Sequence, residues 1–127
     1  MKKLLLFAML FATVAMTSCS KSASSTSTPA TLTLVGKWKL VGYISKAGTT
    51  TDTYVGKAAD YVDFKSNGTV ETFIDGETNN TPYTISGSNL ILDGETYTIG
   101  LAATTASLYY SALENGTRYE TTINLKK

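Results

Sequence analysis

Few residues in this 127-residue chain could carry chemistry. It has no histidine, which removes the commonest general base and the commonest nitrogen ligand for a metal. A Ser-His-Asp arrangement is therefore excluded. Cys19 is the only cysteine, so no internal disulfide can form. Carboxylates remain. Asp60 and Asp63 alternate onto opposite faces of an expected strand. Glu71 and Asp75 share a face about Phe73, a pattern that a solvated outer face explains better than a catalytic pair. Asp75, Glu77 and Asn79 have the alternate spacing of a calcium loop, yet no glutamate follows at the twelfth position. No glycine-rich loop opens a helix to cradle a phosphate. The expectation is a protein that is not an enzyme, with no metal and no cofactor.

The aromatic residues are the other chemical feature. Trp38, Leu40, Phe64, Tyr83, Tyr97, Tyr110 and Tyr119 fall where alternation turns side chains inward, and they are the ligand-cavity candidates. A dry core favours Leu, Ile and Val, because a buried hydroxyl needs a partner; several inward tyrosines suit a part-wet cavity. A core filled by its own side chains is the competing reading, and both stay open at this level.

The elements that must position these residues read as strands. The chain beyond residue 31 is rich in Thr, Tyr, Val, Ile and Gly, a strand and turn composition. Alternating runs place strands at 35–45, 60–65, 69–75, 82–86, 89–93, 95–101, 105–113 and 117–125. In the first, Trp38, Leu40, Gly42 and Ile44 share one face, and Lys37, Lys39, Val41 and Tyr43 the other. Asn67-Gly68 supplies the positive φ angles of a tight hairpin. Residues 46–56 read as a long polar loop, 76–81 as a polar turn, and Lys57-Ala58-Ala59 as one helical turn. The connections are too short for parallel crossovers, so the strands must run antiparallel with their sequence neighbours. Eight such strands best avoid open edges by closing into an all-β, up-and-down barrel, with a two-sheet sandwich as the alternative.

The N-terminus carries a different signature. Lys2 and Lys3 precede an apolar run from Leu4 to Ala15, then Met16-Thr17-Ser18-Cys19. This is the layout of a secretory signal, and the run is shorter than the roughly 20 residues a spanning helix needs. The tetrapeptide resembles the lipobox of bacterial lipoproteins, with Met16 where Leu is usual. That resemblance implies removal of residues 1–18 and a diacylglycerol on Cys19. Two or three acyl chains would anchor the chain to a membrane far more firmly than one. Ser20 rather than Asp after the cysteine favours, by the same resemblance, the outer membrane, and with no acidic cluster following Cys19 the periplasmic face is preferred over the cell surface. Residues 19–33 read as a Ser/Thr-rich tether without aromatic residues, reaching about 20 Å as a flexible coil. Without Lys2 and Lys3, 9 of the 11 basic residues remain against 10 acidic ones. A net charge near −1 argues against nucleic acid as a partner.

Gly36-Lys37-Trp38 opens the first strand, and Phe64-Lys65-Ser66-Asn67-Gly68-Thr69-Val70 follows as a hairpin. These motifs resemble the lipocalin-like domains found as small lipoproteins in Gram-negative bacteria, over most of residues 35–127 in layout, within an expected domain at 34–127. Thr51-Asp52-Thr53-Tyr54 matches a second lipocalin motif but lies too early in the chain to serve as it. The resemblance implies a barrel whose Trp38 closes one end under a basic residue from the last strand. Antiparallel closure puts Trp38 beside the chain's end, so Lys126, with Lys127 as the alternative, is the expected cap and Arg118 is not. The implied function is to hold a small, mostly apolar ligand without catalysis, as a membrane-tethered monomer. The alternative is a filled barrel that contacts or inhibits an envelope protein through residues 46–56.

Overall fold

The computed structural model describes residues 32–127. The expected signal at 1–18, the attachment residue Cys19 and residues 20–31 of the tether lie outside the described residues. The described part forms nine strands and no helix: β1 (Gly36–Ala47), β2 (Thr50–Val55), β3 (Tyr61–Phe64), β4 (Thr69–Ile74), β5 (Glu77–Ser86), β6 (Asn89–Leu92), β7 (Glu95–Leu101), β8 (Thr105–Glu114) and β9 (Thr117–Lys126).

All pairings are antiparallel, and β1 pairs with β9 to close the sheet. The result is an eight-stranded barrel plus one extra strand, β2. Strand β1 is long enough to change partners on one side. Its first part, Gly36–Lys39, pairs with β3, and its second part, Gly42–Ala47, pairs with β2. The expected 46–56 loop is thus corrected to the second half of a hairpin. Its residues lacked a readable alternation because only Tyr54 in β2 is even partly buried. Likewise, the expected turn over 76–81 shrinks to Asp75-Gly76, and β5 begins at Glu77 with four exposed residues. Residues 57–59 form a non-helical turn closed by Asp60 N–H donating to the Lys57 carbonyl at 3.1 Å.

One irregularity resets the faces of β1. The register against β9 slips between Leu40 and Gly42, leaving Val41 as a bulge. Trp38 and Leu40 point inward, as expected. After the bulge, Tyr43 and Ser45 take the inward positions opposite Ile123 and Thr121, and Ile44 turns out to 40 % exposure. The expectation that Gly42 and Ile44 continue the inner face is therefore corrected. An extra residue inverts the phase of a two-residue repeat.

The core fills one end. Leu34, Trp38, Leu40, Phe64, Val70 and Leu125 are each 3 % exposed or less, joined by Leu90 and Leu108 at mid-height. Leu34 completes this floor, and its carbonyl accepts the Trp38 indole N–H at 2.7 Å. Lys127 Nζ lies 4.7 Å from the centre of the Trp38 ring. The cap is thus Lys127, and Lys126 is corrected: it pairs with Lys39 and Thr105 on the outer face, since its neighbour Leu125 takes the inward position. Arg118 sits at the far end of β9, 3.9 Å from Glu120.

Candidate functional site

The end opposite the floor is the mouth. Four two-residue turns ring it: Gly48-Thr49, Asp75-Gly76, Asp93-Gly94 and Asn115-Gly116. In the last three, both residues have positive φ, the geometry that Asp-Gly and Asn-Gly favour in tight hairpins. At Asn67-Gly68, on the closed end, only Gly68 has positive φ, so that expected tight hairpin is a wider turn, with Lys65 N–H donating to the Thr69 carbonyl. Among the described residues no long loop crosses the mouth.

Residues paired across strands share a face, so the register identifies the lining. Tyr43, Ser45, Tyr54, Leu92, Tyr97, Tyr110, Thr121 and Ile123 occupy inward positions in this half of the barrel. Tyr97 is nearly buried and marks the level of the floor, whereas the other seven are only half-buried although they face the interior. The aromatic rings come in two pairs. Tyr43 and Tyr54 stack with centroids 5.1 Å apart and planes 13° apart. Tyr97 and Tyr110 are tilted at 38°, 5.5 Å apart. Ser45 Oγ and Thr121 Oγ1 lie 3.1 Å apart between the pairs.

One tyrosine of each pair is held by a carboxylate. Tyr97 Oη donates to Glu95 Oε2 at 2.8 Å. Burial and then this carboxylate push the Tyr97 hydroxyl far above the usual phenol range. The Tyr110 hydroxyl is raised for the same two reasons. Tyr54 Oη donates to Asp60 Oδ2 at 2.6 Å, which pushes its pKa up to about 12. Asp60 is 2 % exposed and also accepts the Lys57 N–H at 2.7 Å and the Asp75 N–H at 3.1 Å. These donors hold its carboxyl below the ordinary range, the Tyr54 hydroxyl contributing most. Asp60 thereby ties β2 to the β4–β5 turn across the seam where β2 has no partner on its other side. The Lys57–Asp75 ion pair spans the same seam. Sequence alternation gave no sign of this role. A buried aspartate that accepts only main-chain and tyrosine donors looks, in sequence, like any polar residue before a strand.

Of the cavity candidates, Trp38, Leu40 and Phe64 are each 1 % exposed and belong to the floor. Tyr83 is also nearly buried: it packs edge-on against Phe64 at 5.3 Å and donates to the Lys65 carbonyl at 2.7 Å. Tyr97 and Tyr110 stand at the boundary between floor and mouth. Tyr119 shares a face with Ala47 and Ala112 at the rim but is 39 % exposed, so it lines no enclosed wall. Tyr43, Tyr54 and Ile123 were missed. The bulge hides the first, the supposed loop hides the second, and the third falls in a run with no aromatic signal.

The remaining carboxylates do not converge. Glu71 accepts from Tyr61 at 2.7 Å and from Lys65 at 2.6 Å on the outer wall, while Asp75 pairs with Lys57. No three metal-ligating side chains meet among the described residues. A separate apolar hollow of about 530 Å³ lies at the closed end, between Leu32–Leu34 and Ile85, Ile99 and Leu101. No family model matches the chain, and no curated protein and no solved structure matches it.

Proposed function

We propose that this protein is a membrane-tethered, non-catalytic carrier that holds a small, mostly apolar ligand in the mouth half of its barrel. One observation carries the reading: inward-facing Tyr43, Tyr54, Leu92, Tyr110 and Ile123 stay half-buried above a floor that is closed. Apolar surface that faces inward and remains wet is available to a ligand, at about 25 cal/mol per Å² removed from water. Hydroxyls at Ser45, Thr121 and the tyrosines can orient a polar group on it. The tether and the outer-membrane, periplasm-facing location rest on the signal-like N-terminus and Cys19. The resemblance to lipocalin-like lipoproteins points the same way.

The test uses the mature chain, residues 19–127 with Cys19→Ser, and the neutral fluorophore N-phenyl-1-naphthylamine. Saturable enhancement at one probe per chain is expected. Thr121→Trp fills the mouth from within and should weaken binding by about tenfold or more, whereas Thr122→Trp, on the outer face, should leave it unchanged. Absent saturation, or equal behaviour of the two variants, overturns the reading.

A second reading has its own observation. Strand β2 presents an unpaired edge, and its last residue, Val55, is 75 % exposed. Such an edge can accept a strand from an envelope protein. Thr53→Pro would then abolish partner capture while leaving probe binding intact.

A further inference from the structure

Carboxylates occur on both faces of this barrel, but basic side chains do not. Residues 32–127 contain eight basic side chains, and none occupies an inward strand position. Lys37 pairs in register with Asp63, Lys39 with Lys126, Lys46 with Glu120 and Arg118 with Leu113, all on the outer face. Lys65 binds Glu71 on the outer wall, Lys57 binds Asp75 at the seam, and Lys127 covers Trp38 at the closed end. Carboxylates do enter the inward register, and only near the mouth. Asp52 lies opposite Ser45, Glu77 opposite Ile74, Glu95 opposite Leu92 and Glu114 opposite Thr117.

The lining of the mouth therefore offers aromatic faces and negative charge, with no basic side chain among its inward positions. A tyrosine ring attracts a cation over its face, and a nearby carboxylate adds to that attraction. A ligand carboxylate or phosphate would meet hydroxyl groups and these carboxylates, since Lys57 at the Asp75-Gly76 turn is taken up by Asp75. The four carboxylates are spread around the rim and do not meet as a metal site, so an organic cation fits them better than a metal ion. We infer that the mouth selects an apolar molecule bearing an amine or ammonium group, its apolar part directed down toward Ile123 and Leu92 and its charged end near Glu95. This rests on the carrier reading and names the class of ligand that the same site would take.

Three probes of equal chain length separate the classes: dodecylammonium, dodecanol and dodecanoate, each below its micelle concentration. Each is used at pH 7 and low salt to displace N-phenyl-1-naphthylamine from the mature Cys19→Ser chain. Dodecylammonium should displace at a concentration lower than dodecanoate by about tenfold or more, with dodecanol between them. Glu95→Gln keeps an acceptor for Tyr97 and should cut that ratio to about threefold or less. Glu120→Gln, an equal charge change on the outer face, should leave the ratio intact. If the fluorophore binds but the three probes displace it equally, or dodecanoate leads, the inference is wrong and the carrier reading survives. If Glu120→Gln lowers the ratio as much as Glu95→Gln, the preference reflects net charge and the inference is likewise overturned. If the fluorophore itself fails to bind, both fall together.

Discussion

At the scale of the residue, Asp60 explains how an extra strand stays attached to a closed barrel. Its carboxylate gathers one hydroxyl and two main-chain N–H donors from three separate segments. Its folded-state pKa is lowered, so the stabilisation it brings is present above the unfolded value, near 4, and is lost as pH falls through the folded value below that. Asp60→Asn should lower the urea midpoint at pH 7, and the gap from wild type should shrink as the pH is taken from 4 towards 3. A gap that stays constant over that range would contradict an ionised acceptor at this position. The cap at the other end was more legible. Chain closure alone put the C-terminal lysines beside Trp38, and only the strict alternation of inward Leu125 decides for Lys127 over Lys126.

At the scale of the element, most strand positions and the breaks between them were readable, because alternation and turn chemistry are local properties, although the turn at Asp75-Gly76 was set too late and that at Asn67-Gly68 too tight. Three features were not readable. The Val41 bulge keeps the look of a continuous pattern, since the residue it adds is itself apolar. Strand β2, apart from Tyr54, and the first part of β5 are exposed on both faces, so little in their composition separates them from loop. Besides Asp60 and its ladder with β1, β2 is held by close backbone approach: Gly56 N–H donates to the Val41 carbonyl at 2.9 Å. A Cβ on Gly56 would overlap the Leu40 carbonyl, and one on Gly42 would overlap that of Tyr54. Gly56→Ala should therefore cost about 1–3 kcal/mol and raise amide exchange in β2 more than in β8 and β9. Unchanged exchange in β2 would mean that the glycine contact does not hold the strand.

At the scale of the whole molecule, a single sheet closed through β1 and β9 yields two unlike halves. The floor is packed with Trp38, Leu40, Phe64, Leu90 and Leu125, and the mouth is lined by half-wet tyrosines. Neither a filled core nor an open one describes the whole barrel: the floor is filled by its own side chains, while the inward residues of the mouth half stay half-buried. Composition could not divide them, because tyrosines occur in both, Tyr83 in the floor and Tyr43 in the mouth. The central claim is that the mouth half carries a ligand. The most direct measurement is the intact mass, under native conditions, of residues 19–127 with Cys19→Ser after incubation with envelope extract from its own host. The account predicts one discrete, reproducible added mass per chain, lost in Thr121→Trp and kept in Thr122→Trp. A bare chain across repeated extracts, or an added mass that Thr121→Trp retains, would contradict it.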